Sequence, residues 1–232
     1  MAISLTENTS YTPFAVSFVS DQDFENYATL RRQVEGISSD CNMENVDRKL
    51  SGQAVMSHME YMRRQLCPEI DAALLPQQLR VPAGQKLRDY TQYTIGTLHL
   101  VSEQFKQIIE SVEPEVHQFW PVEMINEQGE HLAQHYIFLC MGTVDAIIHN
   151  SETDRKNPKM EGDDAYDDYY YYSRFGGRSE PRKIKKELVA GRACYRDIHW
   201  PKQEMIISDQ VKALFDQHNI MILEYKFLFE EC

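Results

Sequence analysis

The sequence predicts an α+β fold, with a helical N-terminal portion followed by a mixed domain containing two strand–helix–strand units. Three observations carry this reading. The stretch Leu98–Glu110, LHLVSEQFKQIIE, returns 106 residues later as Glu204–Asp216, EMIISDQVKALFD, with apolar, serine, acid, Gln, apolar and Lys positions matching in order. Each copy passes from a short β-prone run through a serine into an amphipathic segment, and each leads into a second apolar run, Val116–Val122 and Ile220–Phe229. Upstream, apolar residues spaced three and four apart predict helices from Ser20 or Asp21 to about Val34 and over Ser51–Leu66.

The same pattern divides the chain. Residues 1–70 read as a mostly helical portion, and residues 71–232 as the α+β domain. A polar, acidic, tyrosine-rich insertion interrupts that domain at about residues 150–181. With 232 residues and 42% hydrophobic content, there is ample apolar material for a core.

Within the first portion, Phe14–Val19 is a short β-prone run before the first helix, and Pro68 ends the second. Met56, Met59 and Met62 line one face of that second helix, a spacing that suits core packing. A brief helix is expected over Glu69–Leu75, stopped by Pro76, then an extended piece, Leu79–Gly84, closed by a Pro-Ala-Gly turn.

In the repeated units, Ser102 and Ser208 are the natural N-caps, since a serine hydroxyl can accept from an unpaired first-turn N–H. Glu103 and Asp209 then sit at the positive end of each helix dipole. Phe105, Ile108, Ile109 and Val112 share one helical face, as do Val211, Leu214, Phe215 and His218. Between the units, Gln128-Gly129 marks a turn, His135–Met141 is the strongest apolar run and reads as a buried strand, and Ala193–Asp197 is a short strand.

Composition narrows the function classes. The formal charge of −12 disfavours nucleic acid as a partner and favours a basic one. No apolar run reaches the roughly 18 residues that a membrane-spanning helix requires. The N-terminus lacks the basic and apolar regions of a signal peptide, so a cytoplasmic location is expected. Five widely spaced cysteines with no CxxC pair fit reduced thiols.

A search for chemistry finds no catalytic constellation, no cofactor motif and no metal-ligand pattern. His131 and His135 lie four apart near Glu127 and Glu130, but Leu132 stands where a metalloprotease helix needs glutamate. Gly176-Gly177 beside Arg174 and Arg178 is a lone glycine pair, and Asp145 follows a turn, the ordinary place for a strand-end acid. Neither serine sits in a nucleophile elbow.

The unusual feature is the insertion, EGDDAYDDYYYY over residues 161–172. Glu161, Asp163, Asp164, Asp167 and Asp168 would attract a cationic surface. Tyr169, Tyr170, Tyr171 and Tyr172 offer large rings with polar tips at low entropic cost. These nine residues are the candidate partner-binding site; a solvated loop, or an edge strand with alternate tyrosines turned inward, would produce the same composition. Charge reverses just beyond, where Arg174–Lys202 holds nine Lys/Arg against three Asp/Glu.

The segments Leu100–Lys106, Gln118–Val122, His135–Ala146, Met205–Phe215 and Ile222–Phe227, in that order, resemble immunity-protein family eleven of bacterial polymorphic toxin systems, formerly a domain of unknown function numbered sixteen twenty-nine. The resemblance covers roughly residues 74–232; the tyrosine-rich insertion departs from it, and residues 1–70 carry no assignable motif. It implies a cytoplasmic antidote that binds a cognate toxin or effector, delivered by contact-dependent or type VI secretion, and that acts by binding rather than by catalysis. Occlusion of the toxin's active site and allosteric blockade are both compatible with it, and a homo-oligomer is compatible too. A small cytosolic enzyme without a recognisable motif, or a non-toxin adaptor, remain the alternatives.

Overall fold

Among the described residues, two six-stranded sheets and two serine-capped helices organise the fold. The computed structural model describes residues 2–6, 16–27, 29–30, 70–92, 98–148, 182–197, 205–220 and 224–231. The strands are β1 (Ala2–Thr6), β2 (Ser17–Phe18), β3 (Gln78–Arg80), β4 (Tyr90–Gln92), β5 (Leu98–Ser102), β6 (Gln118–Ile125), β7 (His131–Leu139), β8 (Thr143–Val144), β9 (Arg182–Ile184), β10 (Cys194–Asp197), β11 (Met205–Ser208) and β12 (Glu224–Glu231). The helices labelled here are α1 (Glu103–Val112), the single turn α2 (Lys186–Val189) and α3 (Asp209–Gln217). One sheet has the order β8-β10-β11-β1-β12-β9, the other β2-β3-β6-β7-β5-β4.

Both repeated units fold as the sequence predicts, as β5–α1–β6 and β11–α3–β12. Ser102 Oγ accepts from Phe105 N at 3.2 Å, and Ser208 Oγ from Val211 N at 3.4 Å. Each cap satisfies one of the amides a helix start leaves bare. The units also share an i,i+4 ion pair, Lys106–Glu110 and Lys212–Asp216, and both leave the helix through a residue with positive φ, Glu115 at 61° and Asn219 at 53°. Replacing Ser102 or Ser208 with alanine is expected to cost about 1 kcal/mol each in urea unfolding. A loss near zero at both positions would remove the capping role.

The helices meet each other through Phe105 and Phe215, whose ring centroids are 5.0 Å apart. Around that contact lies the largest core, with Tyr90, Val101, Ile108, Ile109 and Phe138 on one side and Met205, Ile207 and Val211 on the other. A second core, with Leu79, Leu98, Leu100, Val122, Met124, Ile137 and Leu139, covers the opposite face of the β5–β7 sheet. The continuous apolar run in β7 follows from this, because a sheet covered on both faces needs no polar alternation.

The β1–β12 sheet curls. Ile147 bridges Ile184 of β9, with Ile148 N to Lys183 O at 2.9 Å and Lys185 N to Ala146 O at 2.8 Å, so the segment after one edge strand meets the opposite edge. Val144, Ala146, Ile147, Ile184, Val189, Tyr195 and Ile206 fill the enclosed space. Closure of this kind removes exposed strand edges.

The helical N-terminal portion is not borne out. Residues 21–27 are helical, but β1 lies inside the curled sheet, antiparallel to both β11 and β12, and β2 pairs with β3 in the other sheet. Long-range backbone pairing therefore decides the role of the first residues. The expected helix over residues 51–66, with its methionine face, lies outside the described residues. The expected helix over Glu69–Leu75 is a single 3-10 turn, Ala72–Leu74, with Asp71 Oδ1 accepting from Ala73 N at 3.0 Å. Pro76 restricts the residue before it to extended backbone, which limits the turn.

Candidate functional site

The nine residues singled out for partner contact, Glu161, Asp163, Asp164, Asp167, Asp168 and Tyr169 to Tyr172, lie outside the described residues. The chain on either side of the insertion is placed. Ile148 and Lys183 are hydrogen-bonded to each other at the seam of the curled sheet, so both flanks emerge together. Ile148 and Leu188 are large apolar side chains exposed near that seam.

The turn at Gln128-Gly129 forms as expected, with Gly129 at φ 82° and Asn126 Oδ1 accepting from both Gln128 N and Glu130 N at 2.9 Å. It connects β6 to β7, and both candidate ligand histidines lie on that extended strand, where a four-residue spacing is not the one-turn spacing of a helix. His131 Nδ1 faces Glu123 Oε1 at 2.9 Å near the surface, whereas buried His135 donates from Nε2 to Arg88 O at 3.1 Å. Burial outweighs those backbone bonds and lowers the His135 pKa. Asp145 is exposed, and the buried acid of that region is Asp197, whose Oδ2 accepts from Ala146 N at 2.7 Å and Ile147 N at 2.9 Å. That carboxylate holds the strand end needed for sheet closure.

Among the described residues, two buried polar clusters join the sheets, and neither stands out in the sequence. In the first, Arg196 of β10 reaches His99 of β5, with Nη2 to Nε2 at 2.8 Å, and His99 Nδ1 meets the Tyr90 hydroxyl at 2.9 Å. Arginine can only donate, so His99 accepts at Nε2 and carries its proton on Nδ1. Burial, then the Arg196 charge, hold the His99 pKa well below the usual range.

The second cluster holds Glu113, His117, Cys140 and Cys194. Cys140 Sγ lies 3.7 Å from Cys194 Sγ, and Cys194 Sγ lies 3.5 Å from His117 Nε2. His117 Nε2 is 3.2 Å from Glu113 Oε2, which also accepts from Ala193 N at 2.8 Å, and Met141 N donates to His117 Nδ1 at 3.2 Å. Gly142 permits the close approach: a β-carbon there would stand 2.9 Å from Cys194 O. Burial and then the neighbouring Cys140 push the Cys194 thiol up.

A cysteine beside a histidine invites a nucleophilic reading, but the geometry opposes it. Glu113 and Cys194 both face Nε2 of the same ring, whereas an activated nucleophile needs the orienting acid on the other nitrogen. Both cysteines are buried with no exposed surface, which leaves no route to a substrate. The arrangement suits structure or metal binding. Sequence reading missed it because the two cysteines, at 140 and 194, are far apart in the chain and far from the Glu113–His117 pair, so no short cysteine spacing reveals them.

Among the described residues, no helix is long and apolar enough to cross a membrane. A family model described as Immunity protein family (Imm11) matches residues 35–226. The match takes in residues 35–70, to which the quoted motifs gave no assignment. The comparison with curated proteins finds no match.

Proposed function

As this chain belongs to the Imm11 immunity protein family, and is at that level an immunity protein, we propose that it neutralises a cognate bacterial toxin by binding it in the cytosol. The family match over residues 35–226 is the observation that carries this reading. Action by binding rather than catalysis agrees with the burial of the one cysteine–histidine cluster among the described residues. The toxin, delivered by a contact-dependent or type VI route, would present a basic surface to an antidote of net charge −12.

In this reading the insertion contributes to the interface. Its flanks leave the fold side by side at Ile148 and Lys183, which suits a loop displayed from one place. Five carboxylates attract the toxin, and the tyrosines supply contact area. A tight complex buries about 1,600 Å² in total, so the loop is one part of a wider surface.

The test is co-expression with the toxin encoded beside this chain, reading growth rescue and co-purification. No rescue and no complex would count against the whole reading. Within a working pair, replacing Asp163, Asp164, Asp167 and Asp168 with asparagine is expected to slow association by about tenfold at low salt, with a smaller effect at high salt where screening already weakens steering. An unchanged association rate would assign steering elsewhere.

A further inference from the structure

We propose that His117, Cys140 and Cys194 form a structural zinc site, with Glu113 as the fourth ligand. The three ligand atoms lie within 4.8 Å of one another. Tetrahedral zinc holds thiolate sulfur at about 2.3 Å and imidazole nitrogen at about 2.0–2.1 Å, which sets two sulfurs about 3.8 Å apart and sulfur and nitrogen about 3.6 Å apart. The chain sets Cys140 and Cys194 at 3.7 Å, and Cys194 and His117 Nε2 at 3.5 Å. Two of the three pairs are thus already spaced as neighbouring ligands on one ion, and Cys140 and His117 lie within 4.8 Å of each other.

Softness of the donors selects the metal. Two thiolates with an imidazole favour zinc over the hard cations magnesium and calcium. Glu113 is not one of the three groups already within 4.8 Å of one another, but its Oε2, 3.2 Å from His117 Nε2, would reach the fourth position by a turn of its side chain. Arg192 Nη1 lies 3.6 Å from the other Glu113 oxygen and would offset part of the negative charge that two thiolates and a carboxylate bring. Coordination by four protein groups makes the site closed, hence structural.

On loading, the hydrogen bond between His117 Nε2 and Glu113 Oε2 gives way to shared ligation of the ion, and one further contact is lost at Nδ1. Zinc on Nε2 puts the ring proton on Nδ1, which faces the Met141 amide, so that hydrogen bond is displaced. A single neutral hydrogen bond is small against the free energy of a structural zinc site. The benefit is architectural: the ligands come from the exit of α1, the end of β7 and the start of β10, so one ion ties the two sheets together.

The test uses the full chain, free of any histidine tag, purified from zinc-supplemented culture with a non-chelating reductant. Elemental analysis is expected to give about one zinc per chain, and chelation is expected to lower Tm. Cobalt(II) added to the stripped protein is expected to produce a thiolate charge-transfer band in the near ultraviolet and intense visible bands of tetrahedral cobalt. Cys140→Ser and Cys194→Ser variants should lose both signals. The wild-type readings stand even if those variants fail to fold. A chain without zinc that also gives no cobalt spectrum overturns the proposal, and so does an intact mass showing a Cys140–Cys194 disulfide in place of bound metal.

Discussion

Phe105→Ala is expected to lower the stability of the chain by about 3–5 kcal/mol in urea unfolding, the range for removing a large buried aromatic ring. Phe105 has no exposed surface and lies where the two repeated units meet. Its ring contacts Phe215 at 5.0 Å, Tyr90 at 5.7 Å and Phe138 at 5.8 Å, so truncation opens a cavity bordered by α3, β4 and β7 at once. Collapse into that cavity is limited, because each neighbour is held by its own strand or helix. Phe105→Leu keeps most of the volume and should cost clearly less. Leu132→Ala, at a position 44% exposed, is the matched control and should stay within about 1 kcal/mol of wild type. A Phe105→Ala loss no larger than that of the control would show that the helix–helix contact does not organise the core.

The helix faces behind this prediction were legible in the sequence. Phe105, Ile108 and Ile109 recur at helical spacing, the serine before each unit has a capping role that follows from local geometry, and both caps form. Such features depend on residues within a turn of one another. The place of β1 does not. Nothing within Ala2–Thr6 alone fixes its place, and only its pairing with residues 205–208 and 224–229 makes it an interior strand. Helical periodicity in the residues after it then suggested a helical portion, although the chain spends its first strands on both sheets.

The polar clusters were illegible for a related reason. His99 and Arg196 are 97 residues apart, and Cys140 and Cys194 are 54 apart; each pair is brought together by the packing of the two sheets. Cysteine arithmetic detects ligands clustered along the chain, so widely spaced thiols read as unremarkable. The acidic tyrosine segment has the opposite character. Its composition is conspicuous in one dimension, and the role in toxin binding proposed for it depends on a partner surface rather than on the fold.

His99→Leu is expected to destabilise the chain by about 3 kcal/mol at pH 7.5, the upper end of what an unsatisfied buried donor costs, because Arg196 loses an acceptor between the sheets. The same variant should reveal a pH signature. His99 is held neutral in the fold by burial and then by Arg196, so its folded pKa lies below the unfolded value of about 6.5. A depressed pKa contributes stability that is fully present above the unfolded value and is lost as pH falls toward the folded one, since the unfolded chain then binds the extra proton. Leucine does not titrate. The stability gap between wild type and His99→Leu should therefore narrow below about pH 6.5, by at most about 1.4 kcal/mol per pH unit. The other histidines, His135 included, are common to both proteins and largely cancel in the difference. Urea unfolding of both proteins at intervals from pH 7.5 to 5 measures the gap directly. A gap that stays constant across that range would mean that His99 is not the neutral acceptor holding Arg196, and the link between the sheets would have to be assigned to other groups.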